Sequence, residues 1–451
     1  MNAARALYSL VTWCAQPLLR RKLRRRAMAE PGYAHAVGER FGRYPVPMDS
    51  MVSHHSIDPL GQFVWVHAVS LGETRAAAIL LTQLREQLPG MRLLLTHGTA
   101  TGRAEGEKLL MPGDVQVWQP WDTPGAVARF LRTFRPAIGI LMETEVWPNL
   151  VAGCQQRGVP LVLANARFNA KSLHKALRLA ALARPAYGGL AAVWAQTEDD
   201  ATRLRAIGAP VRGVFGNLKF DVVPDATQIA QGRAWRSHTG RPVVLLASSR
   251  EGEEAMWIEN FKQEQALALD GKAPNAINSE ASGVQWLIVP RHPQRFDEVQ
   301  QLLLRAGLTV SRRTHWSAEP EAADVWLGDS LGEMALYYGL ADVALLGGSF
   351  APLGGQNLIE AAACGCPVVL GPHTFNFAEA AELACAAGAA QRVPDMAAGM
   401  ALAGRLATDA TQQAAASGRA TRFATAHRGA ARATVQAILG IVQPDMPLQD
   451  W

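Results

Sequence analysis

From Phe63 onward the chain alternates short apolar runs with glycine-bearing turns and helical stretches. FVWVHAVS leads to LGETRAAAILLTQLREQ, RLLLTHGTATG to RAEGEKLL, AIGILMETE to VWPNLVAGCQQRG, PLVLANARF to NAKSLHKALRLAALA, and AAVWAQTEDD to ATRLRAIGA. Near-continuous apolar runs suit strands buried on both faces, and the intervening stretches suit the crossovers that parallel strands need. Between Phe215 and Arg241 the rhythm breaks. Pro224, Gly232 and Gly240 punctuate a polar segment with little periodicity, which reads as a linker. The rhythm resumes with PVVLLASS, QWLIVPRHP, LTVSRRT, DVWLGDS, ADVALLGGS and CPVVLGP, a second unit of the same kind. Residues Gly271 to Gly283 read as a surface insertion within it. The pattern predicts an α/β chain of two doubly wound, Rossmann-like domains. Its boundaries fall at an N-terminal segment, 1–45, a first domain, 60–225, and a second, 240–440. Ligands of such sheets bind outside the carboxyl ends of the strands, and two such domains suit a cleft between two substrates.

The N-terminal segment departs from this pattern. Ala6 to Leu19 carry no charge, and a dense basic block of Arg20, Arg21, Lys22, Arg24, Arg25 and Arg26 follows. The apolar run is shorter than the roughly 20 residues needed to span a bilayer. A signal peptide carries its charges before the apolar run, not after it. An interfacial helix, its arginines on anionic headgroups, fits this order. A helix packed on the protein's own core is the other reading. The formal charge is +5, and it comes mostly from this block. The remainder is close to neutral, which excludes a uniformly basic nucleic-acid binder. Cys14, Cys154, Cys364, Cys366 and Cys385 include no C-x-x-C pair, so they read as free thiols in a reducing compartment.

Polar groups gather where the apolar runs end. In Ser70-Leu71-Gly72-Glu73, Glu73 falls in the first turn of a helix, where the helix dipole favours a carboxylate. It reads either as a cap or as a proton acceptor. Glu143 and Glu145 alternate with Thr144, so an extended segment would point both carboxylates one way. Pro148 then suits a helix start. Arg291 and His292 follow LIVP and suit a phosphate or carboxylate partner. Gly347, Gly348 and Ser349 open a glycine-rich loop that continues through Gly354 and Gly355 to Asn357 and Glu360, spaced to share a helical face. Ser249 and Glu251 to Glu254 follow PVVLLA, and read equally as a helix cap or as a donor contact. Neither G-x-G-x-x-G nor an NTPase phosphate loop is present, which argues against a dinucleotide oxidoreductase.

In this order, SLGE, ETEVWPN, NARF, QTEDDATRL, GNLKFD, SSREGEE, PRHPQRF, GGQNLIEAA and GPHTFNF resemble the transferases of 3-deoxy-D-manno-octulosonic acid (Kdo). The likeness covers nearly the whole chain, including GERFG near the N-terminus. It implies the GT-B glycosyltransferase architecture, with 60–225 binding the acceptor, a lipid A precursor, and 240–440 binding the donor, CMP-Kdo. It implies inverting transfer with Glu73 as general base, and Gly72, Glu143 and Glu145 on the acceptor side. Arg291, His292, Gly347, Gly348, Ser349, Asn357, Glu360, Ser249 and Lys219 would contact the donor or another anionic group. No metal and no cofactor are implied. The family also implies attachment to anionic lipids on the cytoplasmic face of the inner membrane. The chain departs from the family pattern at Ser249-Arg250, where T-H is usual, and at Gln356, where histidine is usual. Another GT-B transferase with a different donor is the alternative, followed by a non-catalytic nucleotide-binding protein.

Overall fold

A computed structural model describes residues 2–45, 63–269, 283–317 and 319–443. The expected insertion, Gly271 to Gly283, lies almost wholly outside these residues. The chain forms two compact units, residues 1–221 with 428–451, and residues 222–427.

The first unit carries a seven-stranded sheet in the order β3-β2-β1-β4-β5-β6-β7. Its strands are β1 (Phe63–His67), β2 (Arg92–His97), β3 (Val115–Trp118), β4 (Ile138–Met142), β5 (Leu161–Ala166), β6 (Ala192–Ala195) and β7 (Val211–Val214). All are paired in parallel. Each face of the sheet is covered by its own apolar cluster. One holds Val64, Val66, Leu80 and Leu84, the other Trp65, Phe130, Leu141 and Leu163. A parallel sheet needs this double cover, and it explains why the strands read as apolar without alternation. Gly139 sits opposite Trp65, and a Cβ there would meet the indole at 2.6 Å.

The second unit repeats the plan, with a seven-stranded sheet in the order β10-β11-β9-β8-β12-β13-β14. Its strands are β8 (Val243–Ser249), β9 (Gln285–Pro290), β10 (Val310–Arg312), β11 (Val325–Leu327), β12 (Val343–Leu346), β13 (Val368–Leu370) and β14 (Ala390–Arg392). The first sheet reverses its strand order between β1 and β4; in the second the corresponding reversal lies between β8 and β12, and β11 stands between β9 and β10. These switch points are where such sheets open a binding crevice.

The expected boundaries need correction at three places. The supposed linker contains the helix Ala226–His238, which belongs to the second unit and packs on the helix Met334–Leu340. Gly232 marks a close approach there, not a break: its Cβ would lie 2.2 Å from the Leu336 carbonyl oxygen. The last helix, Ala430–Val442, was expected in the second domain but packs on Leu71–Gln87 of the first. Its amino end has no side-chain cap of its own, and Asp221 accepts the N–H groups of Gly429 at 2.5 Å and Ala431 at 2.6 Å. The N-terminal segment is likewise part of the first unit. It forms two helices, Ala3–Cys14 and Gln16–Ala29, and neither is long and apolar enough to cross a membrane.

Replacing Gly232 by valine forces a branched side chain against that carbonyl. Overpacking of this kind costs on the order of 1–3 kcal/mol. The G232V protein is expected to show a lower unfolding midpoint in calorimetry, by roughly 2–4 °C per kcal/mol. An unchanged midpoint would mean that the two helices separate freely.

Candidate active site

β1 ends at His67, and Ala68 to Ser70 turn the chain into the helix Leu71–Gln87. Ser70 is the helix N-cap, and its hydroxyl accepts the Glu73 N–H at 3.4 Å. The Glu73 carboxylate reaches back in return. Its Oε1 accepts the Ser70 hydroxyl at 3.0 Å and its Oε2 accepts the Val69 N–H at 2.9 Å. Glu73 thus closes a variant of the capping box, in which the carboxylate holds the cap's hydroxyl and the N–H of the residue before it. Here burial opposes ionisation and outweighs the hydrogen bonds from Val69 and Ser70, and the charges of Glu143 and Glu145 push the same way. The result is a carboxyl raised to about 7, poised to exchange a proton near neutrality. Gly72, beside it, is exposed.

The neighbouring carboxylates come from the end of β4, across the switch point. The expectation that Glu143 and Glu145 alternate on an extended segment is not met. Glu143 has φ +57, and tight turns follow it, Thr144 N–H to Met142 O at 2.9 Å and Val146 N–H to Thr144 O at 3.1 Å. Glu143 faces the Lys219 ammonium at 3.5 Å, and Glu145 accepts the Trp147 indole N–H at 2.7 Å. Burial raises the Glu145 carboxyl above its ordinary value. Lys219, expected among the donor contacts, therefore sits with the acidic residues of the first unit. A polar chain along the strand ends places it there. Gln196 donates to Asn165 O at 2.9 Å, Asn217 donates to Gln196 Oε1 at 3.2 Å, and Asn217 Oδ1 accepts the Lys219 N–H at 3.0 Å. Asn165, with φ +53, also accepts the Leu218 N–H at 3.1 Å. NARF, QTEDD and GNLKFD contain these three residues, but no local spacing announces that they meet.

In the second unit, β8 carries a register shift against β9 between Ala247 and Ser249, with Ser248 at φ +56. Positive φ at Glu143, Asn165 and Ser248 is backbone strain of the kind that collects at functional edges. Arg250, Arg291 and His292 gather at the ends of β8 and β9. Arg291 donates to Gln356 Oε1 at 3.2 Å, which ties this cationic group to the glycine-rich loop. Burial and the charges of Arg250 and Arg291 lower the His292 pKa. The cationic edge thus suits an anion.

Other expected donor contacts are placed differently. Ser249 is fully buried, and its hydroxyl donates to Glu254 Oε1 at 2.7 Å. Glu254 in turn takes both guanidinium nitrogens of Arg295, at 2.8 and 3.0 Å. Ser349 is also fully buried; its hydroxyl donates to the Leu346 carbonyl and accepts the Gly371 N–H at 2.8 Å. Gly347 and Gly348 were expected to cradle a phosphate, but their N–H groups are engaged. Gly347 donates to Ala247 O at 2.8 Å and Gly348 to Glu253 at 2.6 Å. Glu253 also accepts the N–H groups of Phe350 at 3.0 Å, Ala351 at 3.2 Å and Arg250 at 2.9 Å. This buried carboxylate occupies the nest that an anion would need. Asn357 does not share a helical face with Glu360. It is the N-cap of Leu358–Ala363 and accepts the Ile359 N–H at 3.1 Å. Glu360 is half-buried in the first turn, and its charge acts on Tyr338 and Cys364. Among the described residues no cluster of His, Cys, Asp or Glu could hold a metal ion.

A family model described as 3-Deoxy-D-manno-octulosonic-acid transferase (kdotransferase) matches residues 35–222. A 3-deoxy-D-manno-octulosonic acid transferase of Bordetella pertussis is 49% identical over 399 residues, 87% of this chain and 88% of the relative. The chain belongs to the Kdo transferase family. A further transferase of that name, from Haemophilus influenzae, is 31% identical over 83% of this chain and 84% of its own. These Kdo transferases are glycosyltransferases, and the two parallel-sheet units have the matching architecture. A glycosyltransferase structure from Rickettsia africae superposes with a TM-score of 0.52 at 11% identity, covering 85% of this chain and 99% of that one, a likeness of fold alone. Two departures from the family pattern now have a physical reading. Ser249 keeps the buried hydroxyl that Glu254 needs, and Gln356 offers Arg291 a neutral acceptor.

The raised Glu73 carboxyl makes stability depend on pH. Its folded value, about 7, lies above the ordinary 4.5, so the folded state binds the proton more tightly than the unfolded one. Stability then falls as pH rises from about 4.5 through about 7 and levels off above. Glu73→Gln cannot ionise and removes this contribution. Its unfolding midpoint, relative to the parent's, is expected to move in the variant's favour between about pH 5 and pH 8. A difference independent of pH would place the Glu73 carboxyl at its ordinary value.

Proposed function

We propose that this chain moves Kdo from CMP-Kdo onto a sugar hydroxyl of a lipid A precursor, with Glu73 as general base. The observation that carries the proposal is the Glu73 carboxyl, oriented by Val69 and Ser70 at a switch point and raised to about 7. In its ionised form it takes the proton from the acceptor hydroxyl. The oxygen then bonds to the anomeric carbon of Kdo as the bond to the CMP phosphate breaks, and the electron pair leaves with CMP. Attack opposite the leaving group inverts the configuration. Glu143 and Glu145 bind acceptor hydroxyls, and Lys219 holds the Glu143 carboxylate in place. Arg250 and Arg291 meet the negative charge of the phosphate and the Kdo carboxylate, a fixed countercharge where charge develops, and His292, its pKa lowered by burial and by their charges, adds a hydrogen bond.

The expected outcome for purified protein with CMP-Kdo and a lipid A precursor is a mass gain of whole Kdo units on the lipid, read by mass spectrometry. Glu73→Gln is expected to lower kcat by roughly 10²–10⁴-fold with donor binding retained. The parent's rate should rise with pH through about 7, because the base works ionised. Turnover of a UDP-sugar in place of CMP-Kdo would move the reading to another transferase, and full activity of Glu73→Gln would remove Glu73 from the chemistry.

The N-terminal helices supply the membrane contact in this reading. Helix Ala3–Cys14 docks by one face, with the Ser9 hydroxyl donating to Asn149 Oδ1 at 2.9 Å. It leaves Leu7, Leu10, Val11 and Trp13 exposed. Two exposed arginines of the basic block lie over aromatic rings, Arg20 over Phe41 at 3.9 Å and Arg26 over Tyr33 at 4.9 Å. Arg21, Lys22, Arg24 and Arg25 are exposed as well and would meet anionic headgroups. Co-sedimentation with vesicles containing anionic lipid is expected and should weaken with salt and on changing those four residues to glutamine. Equal binding to neutral vesicles would argue for apolar insertion alone.

A further inference from the structure

We infer that Arg40 and Thr99 are positioning residues for Glu73: they fix the carbonyl of Val69, the residue whose N–H holds the Glu73 carboxylate. The inference rests on the reading of Glu73 as the base. Arg40 lies in the 3-10 turn Val37–Phe41, and only 4% of it is exposed. Its guanidinium stacks over Trp118 at 3.9 Å, with Trp121 at 5.6 Å and Tyr33 at 5.9 Å. No carboxylate among the described residues forms an ion pair with it. The adjacent Glu39 spends its charge on Arg103 at 2.9 Å and on the Trp118 N–H at 2.8 Å. Arg40 Nε has no partner, and burial lowers the guanidinium to about 10. A buried cation without an ion pair costs stability, and an apolar replacement of similar volume is often tolerated or better. Stacking on the rings offsets part of that cost, but it does not account for the guanidinium N–H groups, which need acceptors.

What the guanidinium holds supplies a reason for an arginine here. Its Nη2 donates to the Gly98 carbonyl at 3.1 Å. The N–H groups of Gly98 and Thr99 donate to the Val69 carbonyl at 3.3 and 3.0 Å, and the Thr99 hydroxyl donates to it at 2.9 Å. The N–H of the same residue, Val69, donates to Glu73 Oε2 at 2.9 Å. Hydrogen bonds and the backbone of Val69 thus join Arg40 to the base. Residues Ala68 to Ser70 have no regular secondary structure to fix them. Close packing adds to the clamp: a Cβ at Gly98 would lie 2.7 Å from Val69 Cγ1, and one at Gly102 would lie 2.8 Å from Val69 O. Thr99 also caps the helix Ala100–Glu107, accepting the Gly102 N–H at 3.1 Å, so the clamp is anchored on a rigid element.

The charged groups on the elements around Glu73 are Glu143, Glu145, Lys219, Asp221, the Arg75–Glu105 pair and the exposed Arg432. His97 is held neutral there, lowered to about 3. The largest influences on the Glu73 proton affinity are its burial, the Val69 and Ser70 hydrogen bonds and the charges of Glu143 and Glu145. Arg40 reaches Glu73 through the Gly98 carbonyl and the Val69 backbone. The Val69 N–H favours the ionised form, so loosening it should raise the Glu73 pKa further.

The test uses the full chain with CMP-Kdo and a lipid A precursor, measuring kcat, the donor KM and the pH dependence of kcat for R40M and T99V. Both are expected to lose roughly 10- to 100-fold in kcat near pH 7. The donor KM should be unchanged, and the rising limb should move to higher pH. T99S, which keeps the hydroxyl, should return the limb to the parent's position. Parental kcat and an unmoved limb in T99V would overturn the inference. So would a loss of activity that only follows the amount of folded protein, with the limb unmoved. If R40M does not fold, T99V and T99S decide. Full activity of Glu73→Gln would instead overturn the base itself, an outcome distinct from an inactive Glu73→Gln beside an unshifted T99V.

Discussion

The double burial of both parallel sheets is the constraint on which the rest of the structure depends. Strands such as β4 and β8 are covered on both faces, so almost no polar side chain can work from within them. Polar chemistry is pushed to the carboxyl ends, where the backbone leaves the sheet and must turn. Glu73, Glu143, Asn165 and Lys219 in the first unit stand at such turns, as do Arg250, Arg291 and Gln356 in the second. Non-glycine residues with positive φ sit at these edges: Glu143 just after β4, Asn165 one residue before the end of β5 and Ser248 one residue before the end of β8. The cost is borne because the sheets behind them are rigid.

A second device recurs throughout the molecule: a carboxylate from one segment accepts backbone N–H groups of another. Asp122 accepts from Asn149 and Leu150, and so caps the helix Pro148–Gln156, which has no cap of its own. Asp221 does the same for the last helix, and Glu253 does it for the glycine-rich loop. Each satisfies backbone donors at a helix end or in a loop that would otherwise lack a protein partner. Glu73 belongs to this set by geometry and departs from it by environment. Glu253 is fully buried and holds backbone N–H groups of a loop. Glu73 is only half-buried and is crowded by two other carboxylates. Burial raises both carboxyls, and at Glu73 the neighbouring carboxylates add to it, to about 7.

The places where sequence reading and structure disagree share a physical cause. Ser249 and Ser349 have the composition and position of substrate contacts, yet both are fully buried and pair inside the unit. Local sequence says which groups a residue carries but not which partners reach it first. Gly232 reads as a breaker because glycine disfavours helix interiors, while in the fold it admits the backbone of a neighbouring helix. The final helix follows the second unit in sequence and reads as its continuation. Its apolar face, with Val435 and Ile438, instead completes the core of the first.

By itself the sequence determined the strand and helix rhythm, the two parallel units, the family, and the sites of candidate chemistry at strand ends. Each of these depends on local periodicity or on the order of short motifs, and both are written along the chain. Only the tertiary structure decided which candidates meet. Glu73, Glu143 and Glu145 come together because the strand order reverses between β1 and β4. Lys219 joins them through Asn165, Gln196 and Asn217, contributed by different strand ends. Arg40 reaches the Val69 peptide across 58 residues to Gly98. Such pairings are set by sheet topology and by competition for buried hydrogen bonds, and neither leaves a local trace in the chain.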